Sequence, residues 1–99
     1  MKVRWTEHAF SDALAIYDYI VEQSPRYADA VFEQILARPI QLVDHPESGS
    51  IVPEYNRDDL REVFVHSFRL IYRIADSELR VLTVIHGSRV LPPEVAEIG

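Results

Sequence analysis

The chain has 99 residues, an apolar share of 47% and no cysteine, which suits one globular domain over residues 1–99 and excludes disulfides and cysteine-based catalysis. Its net charge of −6 argues against general binding of nucleic-acid phosphates. No apolar run is long enough for a signal peptide or a membrane span, so we expect a cytoplasmic protein without membrane contact.

The first half of the chain predicts one short strand and two helices. KVRWT has strand propensity, and Thr6 after it is a typical helix N-cap. Apolar residues then recur every three or four positions, which indicates an amphipathic helix. Ser24 and Pro25 predict the start of a second helix, and Pro39 is expected to kink or split it. The two helices should form a hairpin.

The second half predicts a sheet. Residues 44–59 contain two prolines, a glycine and several acids, and they predict an irregular connection. Three antiparallel strands follow, in LREVFVH, FRLIYRI and LRVLTVIH. The expected fold is therefore α/β of the α+β type, with the N-terminal strand and helical hairpin packed on a C-terminal three-stranded antiparallel sheet.

Alternation within these strands assigns their side chains to two faces. If Val65 pairs with Phe68 and Ile74 with Leu79, ten mostly apolar residues face the helices: Val63, Val65, Phe68, Leu70, Tyr72, Ile74, Leu79, Val81, Thr83 and Ile85. The second face gathers Glu62, Phe64, Arg69, Ile71, Arg73, Arg80, Leu82, Val84 and His86, with Arg89 just beyond the last strand. A register shifted by one residue would exchange the two faces.

Arginine is concentrated in this part of the chain. Residues 61–93 hold five arginines against three acids, whereas residues 1–56 hold four basic and nine acidic side chains. A mixed arginine and apolar face suggests an exposed docking surface for a partner that is apolar and partly anionic. The alternative is structural, because Arg69 and Arg73 could pair with Glu62 across the sheet. No spacing of His, Asp or Glu indicates a metal site, and no cofactor is expected.

The order of these motifs resembles the RelE/ParE superfamily of type II toxin–antitoxin toxins. The resemblance covers nearly the whole chain, and its specific parts are RE at 61–62, FRLIYR at 68–73 and VIHGSR at 84–89. It implies a small toxin that inhibits growth and forms a hetero-oligomer with its antitoxin. In the RelE-like branch, which cleaves messenger RNA in the ribosome, Arg69 and Arg89 match two arginines. The lysines expected in that branch are missing here, since their positions fall near Leu60 and Glu62. Its late tyrosine is also missing, since that position falls near Val95.

The HGSR ending is more similar to the ParE-like branch, whose members inhibit DNA gyrase. We therefore expect a ParE-like toxin that docks on gyrase without covalent chemistry and is neutralised by a ParD-like antitoxin. The residues expected to bind target or antitoxin are Phe64, Arg69, Ile71, Arg73, Arg80, Leu82, His86 and Arg89. The alternatives are a ribosome-dependent endoribonuclease, in which Arg69, His86 and Arg89 would be the catalytic residues, and a non-toxic protein-binding module of the same fold.

Overall fold

The computed structural model describes all 99 residues as a five-stranded mixed sheet with two helices on one face. The elements are β1 (Lys2–Trp5), α1 (Glu7–Val21), α2 (Pro25–Gln41), β2 (Ser50–Ile51), β3 (Leu60–Val65), β4 (Phe68–Ile74) and β5 (Glu78–His86), with 3-10 turns at Pro46–Ser48 and Pro93–Glu97. The strand order is β1-β5-β4-β3-β2, and β1 runs parallel to β5 while the other pairs are antiparallel. The expected α+β fold is confirmed, and the sheet gains two short edge strands.

Both helices begin at the predicted caps. The Thr6 hydroxyl accepts the amide hydrogen of Ala9 at 3.1 Å and donates to the Val81 carbonyl at 2.8 Å, so it also fastens α1 to β5. Ser24 caps α2 through the amide of Tyr27, at 3.2 Å. The expected break at Pro39 is wrong, since α2 continues to Gln41. Pro39 has no amide hydrogen to donate to the Ile35 carbonyl, so the helix lacks one hydrogen bond there; only two helical residues follow it, and its ring is buried.

The strand registers are as predicted near both turns, with Val65 opposite Phe68 and Ile74 opposite Leu79. Between them β5 carries a bulge, since Ile71 pairs with Thr83 and Tyr72 with Val81. The extra residue is Leu82, and beyond it the side chains change faces.

The bulge corrects four face assignments, those of residues 83–86. Thr83 was expected to face the helices, but it pairs with Ile71 of the cluster on the second face. Val84 lies in the core beneath the helices, and Ile85 packs against the cluster on the second face, the reverse of the expectation. His86 was expected on the second face, but its ring stacks edge-on against Phe68, which packs on the helical core. Alternation could not reveal the bulge because residues 81–85 contain no charged or strongly polar side chain to mark the additional position.

Two apolar clusters lie on the two sides of the sheet. The larger one, between the sheet and the helices, has 14 buried residues. The smaller one consists of Val52, Leu60, Ile71, Leu82, Leu91 and Val95. It forms because residues 90–99, here called the C-terminal segment, cross the second face together with the loop around Val52. The second face is therefore covered, and the expectation that it is an exposed surface is wrong.

Candidate functional site

Arg69 is the centre of a closed ion cluster on the second face. Its guanidinium makes a two-pronged contact with Glu54, from Nη1 to Oε2 at 2.8 Å and from Nη2 to Oε1 at 2.9 Å. Nε donates to Glu62 at 2.9 Å, and Nη1 also donates to the Arg89 carbonyl at 3.2 Å. Glu54 accepts the amide hydrogen of Leu91 at 3.1 Å as well. The cluster thus joins β4, β3, the 52–55 loop and the start of the C-terminal segment.

The charges in this cluster stabilise one another. The hydrogen bonds from Arg69 are the largest cause that lowers the pKa of Glu54 from 4.5 to about 2, against the opposing effect of desolvation. The same bonds raise the pKa of Arg69, with Glu54 contributing more than Glu62. Only 7% of the Arg69 side chain is exposed. Two carboxylates face one guanidinium, so this cation is not available to a phosphate from outside. The pairing of Arg69 with Glu62, considered from the sequence as the structural alternative, is present.

The other arginines of this face also contact the chain itself. Arg73 donates to the carbonyls of Ala96 and Ile98 and lies 3.8 Å from Asp59. Arg80 donates to Glu78 at 2.7 Å, and Arg4 reaches the same carboxylate at 2.8 Å. Arg4 and Arg80, in that order, lower the pKa of Glu78.

These contacts decide what the predicted site residues can touch. Arg69, Arg73 and Arg80 lie on the side of the sheet opposite the helices, as expected. Arg69 and Arg73, however, bond carbonyls of residues 89, 96 and 98 and so fasten the C-terminal segment, while Arg80 is bonded to Glu78. Ile71 and Leu82 are fully buried beneath that segment. Three predicted residues remain exposed: Phe64, at 56%, together with His86 and Arg89. The structure therefore does not bring all eight residues to one open surface.

His86 and Arg89 lie at one end of an open groove of about 600 Å³ between α1 and the end of β5, here called the β5 edge groove. The groove exists because β1 pairs with β5 only as far as Val81. Asp12 of α1 then takes the place of the missing strand, as it accepts the Val84 amide hydrogen at 3.2 Å and the Thr83 hydroxyl. Beyond that point α1 and β5 separate, and the strand edge faces the groove.

The walls of this groove are mostly apolar. Its lining includes Ile16 and Tyr19 from α1 and Phe68 from β4, and Tyr19 is 71% exposed. Sequence reasoning missed Asp12, Ile16 and Tyr19 as site residues. A signal was present, because the apolar residues of α1 occupy a wider arc than one sheet can cover: Phe10 and Leu14 project almost opposite to Ile16 and Tyr19 at 100° per residue.

The His86 ring is held by the HGSR turn. Nδ1 accepts the amide hydrogen of Ser88 at 3.1 Å and lies 2.8 Å from the Ser88 hydroxyl. The neutral ring therefore carries its proton on Nε2. No three His, Asp or Glu side chains lie close enough to hold a metal ion, and no helix is both long and apolar enough to cross a membrane.

The sequence profile described as "ParE toxin of type II toxin-antitoxin system, parDE" matches residues 3–91. The chain belongs to the ParE toxin family. It is 30% identical over 90 residues to Toxin RelE2 of Caulobacter vibrioides, a match that spans 90% of this chain and 98% of that protein. The chain is thus a toxin component of the ParE/RelE superfamily of type II toxin–antitoxin systems, which confirms the resemblance seen in the sequence.

Solved structures agree with this family assignment. A chain of the chromosomal ParDE toxin–antitoxin system from P. aeruginosa superposes with a TM-score of 0.66 and 28% identity, covering 87% of this chain and 95% of that one. A chain of the RelBE2 toxin–antitoxin complex from Mycobacterium tuberculosis gives a TM-score of 0.54 and 26% identity, covering 86% of this chain and 95% of that one. The chain is therefore similar to proteins of both branches, and its own residues must indicate which activity it has.

Proposed function

We propose that this ParE-family toxin arrests bacterial growth in the cytoplasm by docking on DNA gyrase, and that an antitoxin similar to ParD neutralises it. The observation that carries the proposal is the closed ion cluster of Arg69 with Glu54 and Glu62. Cleavage of RNA by its own 2′-hydroxyl needs cations for the negative charge that develops on the phosphorane oxygens, and a base and an acid to move protons. Among the arginines of the sheet, Arg69 is the best-placed candidate for binding a phosphate, but it is already paired with two carboxylates.

The residues that could transfer a proton also favour docking over cleavage. A guanidinium stays charged at any working pH and is a poor proton shuttle. His86 is the exposed imidazole next to Arg89, and its Nδ1 is already engaged by Ser88. The hydroxyl of Tyr55 donates to the Pro92 carbonyl and that of Tyr72 to the Pro46 carbonyl at 2.5 Å, so both phenols serve the fold. Docking needs only apolar anchors and complementary charge, which the β5 edge groove offers.

We assign two kinds of role to the site residues predicted from the sequence. Phe64, His86 and Arg89 are exposed and are proposed to contact the partner directly. Arg69, Arg73 and Arg80, with Ile71 and Leu82, are proposed to act as positioning residues, because they lie beneath or beside the C-terminal segment, which follows directly after Arg89. The link is explicit at Arg69, which holds the Arg89 carbonyl at 3.2 Å.

The antitoxin is proposed to cover the β5 edge groove in a toxin–antitoxin hetero-oligomer. Both similar structures described above come from toxin–antitoxin systems, which supports a partner of this kind. An extended or helical antitoxin segment could place apolar side chains on Ile16 and Tyr19 and a carboxylate on Arg89.

The test is expression from an inducible promoter in a host without the antitoxin. We expect growth arrest with an induced DNA-damage response and intact messages, and inhibition of supercoiling by purified gyrase. Arg89→Ala should weaken both effects at least tenfold, whereas Arg26→Ala, which removes the same charge from an exposed site on α2, should not. Arrest without gyrase inhibition would refute the target, and harmless expression in a susceptible host would indicate a non-toxic binding module.

The second candidate is the ribosome-dependent endoribonuclease. It is favoured by the adjacent exposed pair His86 and Arg89 and by the likeness to Toxin RelE2. Primer extension on translated messages after induction discriminates the two, since new cuts that disappear in His86→Ala would support cleavage.

A further inference from the structure

A second surface lies on the helical hairpin, on the side of α1 away from the β5 edge groove. Trp5, Phe10, Phe32 and Tyr17 form a chain of edge-to-face aromatic contacts, with ring centroids 6.4, 6.5 and 5.6 Å apart in that order. Phe10 and the neighbouring Leu14 stay 43% and 44% exposed. We call these five residues the aromatic patch. The rings of the patch are held by contacts with one another, and Phe10 and Leu14 are open to solvent.

Acidic side chains surround this patch and have no cation to pair with. Glu7 precedes Phe10 by three residues, Asp18 follows Leu14 by four, and Glu33 is next to Phe32, so each lies within about one helical turn of the patch. All three are exposed, and none of them takes part in an ion pair. Across Glu7–Gln41 there are six acids and two arginines.

The sheet side of the molecule is different in this respect. There Glu54, Glu62, Glu78 and Asp59 each pair with arginine. The carboxylates around the aromatic patch therefore carry charge that no cation of the chain compensates, and they lie beside the exposed side chains of Phe10 and Leu14. Unpaired acids help to keep a surface soluble, but solubility does not explain why aromatic side chains lie between them.

We propose that the aromatic patch docks a basic amphipathic helix of a protein partner, with apolar side chains on Phe10 and Leu14 and Lys or Arg side chains against Glu7, Asp18 and Glu33. Phe10 to Tyr17 spans about 10 Å of helix, which matches two turns of an opposing helix. A second copy of this chain is disfavoured because it would bring two acidic rims together. Phosphate-bearing partners are disfavoured by the same charges.

This surface is separate from the groove proposed for the antitoxin. On α1, Phe10 and Leu14 point away from Ile16 and Tyr19, so a helix on the patch leaves the groove free. The proposal does not depend on toxicity or on gyrase as target, and it is tested with the purified chain alone.

Trp5 is the only tryptophan, which gives a direct reporter inside the patch. The probe is an 18-residue amphipathic peptide of Leu and Lys without aromatic residues, and the matched control peptide replaces Lys with Glu. We expect the Lys peptide to change Trp5 fluorescence saturably, with an affinity that falls at least tenfold when salt is raised from 0.05 to 0.5 M, roughly as for other interactions between surface charges. The Glu peptide should leave the emission unchanged.

Substitutions then locate the binding site. Phe10→Ser and Leu14→Ser should each weaken peptide binding roughly tenfold, as expected when an apolar anchor is lost. Tyr19→Ser, which removes an exposed aromatic side chain from the opposite side of α1, should leave peptide binding unchanged, and thermal melts would check that all three variants fold. Equal binding by the Phe10→Ser variant, or equal binding of the Glu peptide, would overturn the proposal. So would self-association of the parent chain that Phe10→Ser abolishes, since a second copy would then occupy the patch.

Discussion

Replacing Arg69 with methionine should strongly lower the free energy of unfolding. Methionine fills a similar volume but leaves Glu54 and Glu62 facing each other without a cation. Their side chains are only 21% and 12% exposed, so water cannot fully compensate. Removing one partner of a buried ion pair costs about 3–5 kcal/mol, mostly because the remaining charge is stranded.

The expected change in melting temperature follows from the chain length. With an unfolding entropy of roughly 2.1 cal/mol/K per residue, a chain of this size loses about 5 °C for each kcal/mol. Arg69→Met should therefore lower Tm by about 15–25 °C. Arg57→Met is the matched control, since Arg57 pairs with Asp59 at 2.8 Å but is 49% exposed. Its loss should cost less than about 1 kcal/mol.

Two further measurements show whether Arg69→Met destabilises the protein through the unpaired carboxylates or through lost packing contacts. Adding Glu54→Gln and Glu62→Gln to Arg69→Met should recover at least half of the lost Tm, because no buried charge then remains. In the parent protein, the pKa of Glu54 is lower when folded than when unfolded, so its contribution is present above pH 4.5 and is lost as pH falls towards about 2. Arg69→Met should flatten that dependence. A Tm within 5 °C of the parent, or a triple variant no more stable than Arg69→Met, would refute the reasoning.

Two other changes test contacts that fix the fold, each by chemical denaturation followed by circular dichroism. Thr6→Ala should lower the free energy of unfolding by about 2 kcal/mol, because it removes both the helix cap and the hydrogen bond to the Val81 carbonyl. Ser24→Ala removes only a cap and should lower it by about 1 kcal/mol. Equal losses would contradict the role of Thr6 in fastening α1 to β5. Gly49→Ala should cost about 1–3 kcal/mol, since a Cβ there would lie 2.9 Å from the Glu62 carbonyl oxygen and against the Tyr72 hydroxyl, and adding Tyr72→Phe should cost less than the sum of the two single changes.

Local patterns in the sequence were sufficient for the elements and much of their pairing. Thr6, Ser24 and Pro25 mark the helix starts because capping depends on residues within one turn. The two tight connections set the register on either side of β4 for the same reason. Apolar alternation failed at Leu82, where an additional apolar residue among apolar neighbours leaves no mark in the pattern.

The candidate site depended on contacts between distant residues, which periodicity does not contain. Arg69 meets Glu54 across 15 positions and the Arg89 carbonyl across 20. Those partners lie in irregular segments, and no local pattern places such segments over the sheet. Alternation along the strands could assign the arginines to one face of the sheet. It could not show that the C-terminal segment and the 52–55 loop cover that face.

For a charged surface, the position of a cation and its availability are therefore separate questions. An arginine on an open strand face can attract phosphate, whereas the same arginine between two carboxylates contributes mainly to the fold. In this ParE-family chain Arg69 belongs to the second group, Arg73 and Arg80 are likewise engaged by groups of the chain itself, and Arg89 makes no ion pair. Several carboxylates of the helices, among them Glu7, Asp18 and Glu33, are also unpaired. Partner recognition should accordingly depend on Arg89 with the apolar walls of the β5 edge groove, and on the acidic rim of the aromatic patch.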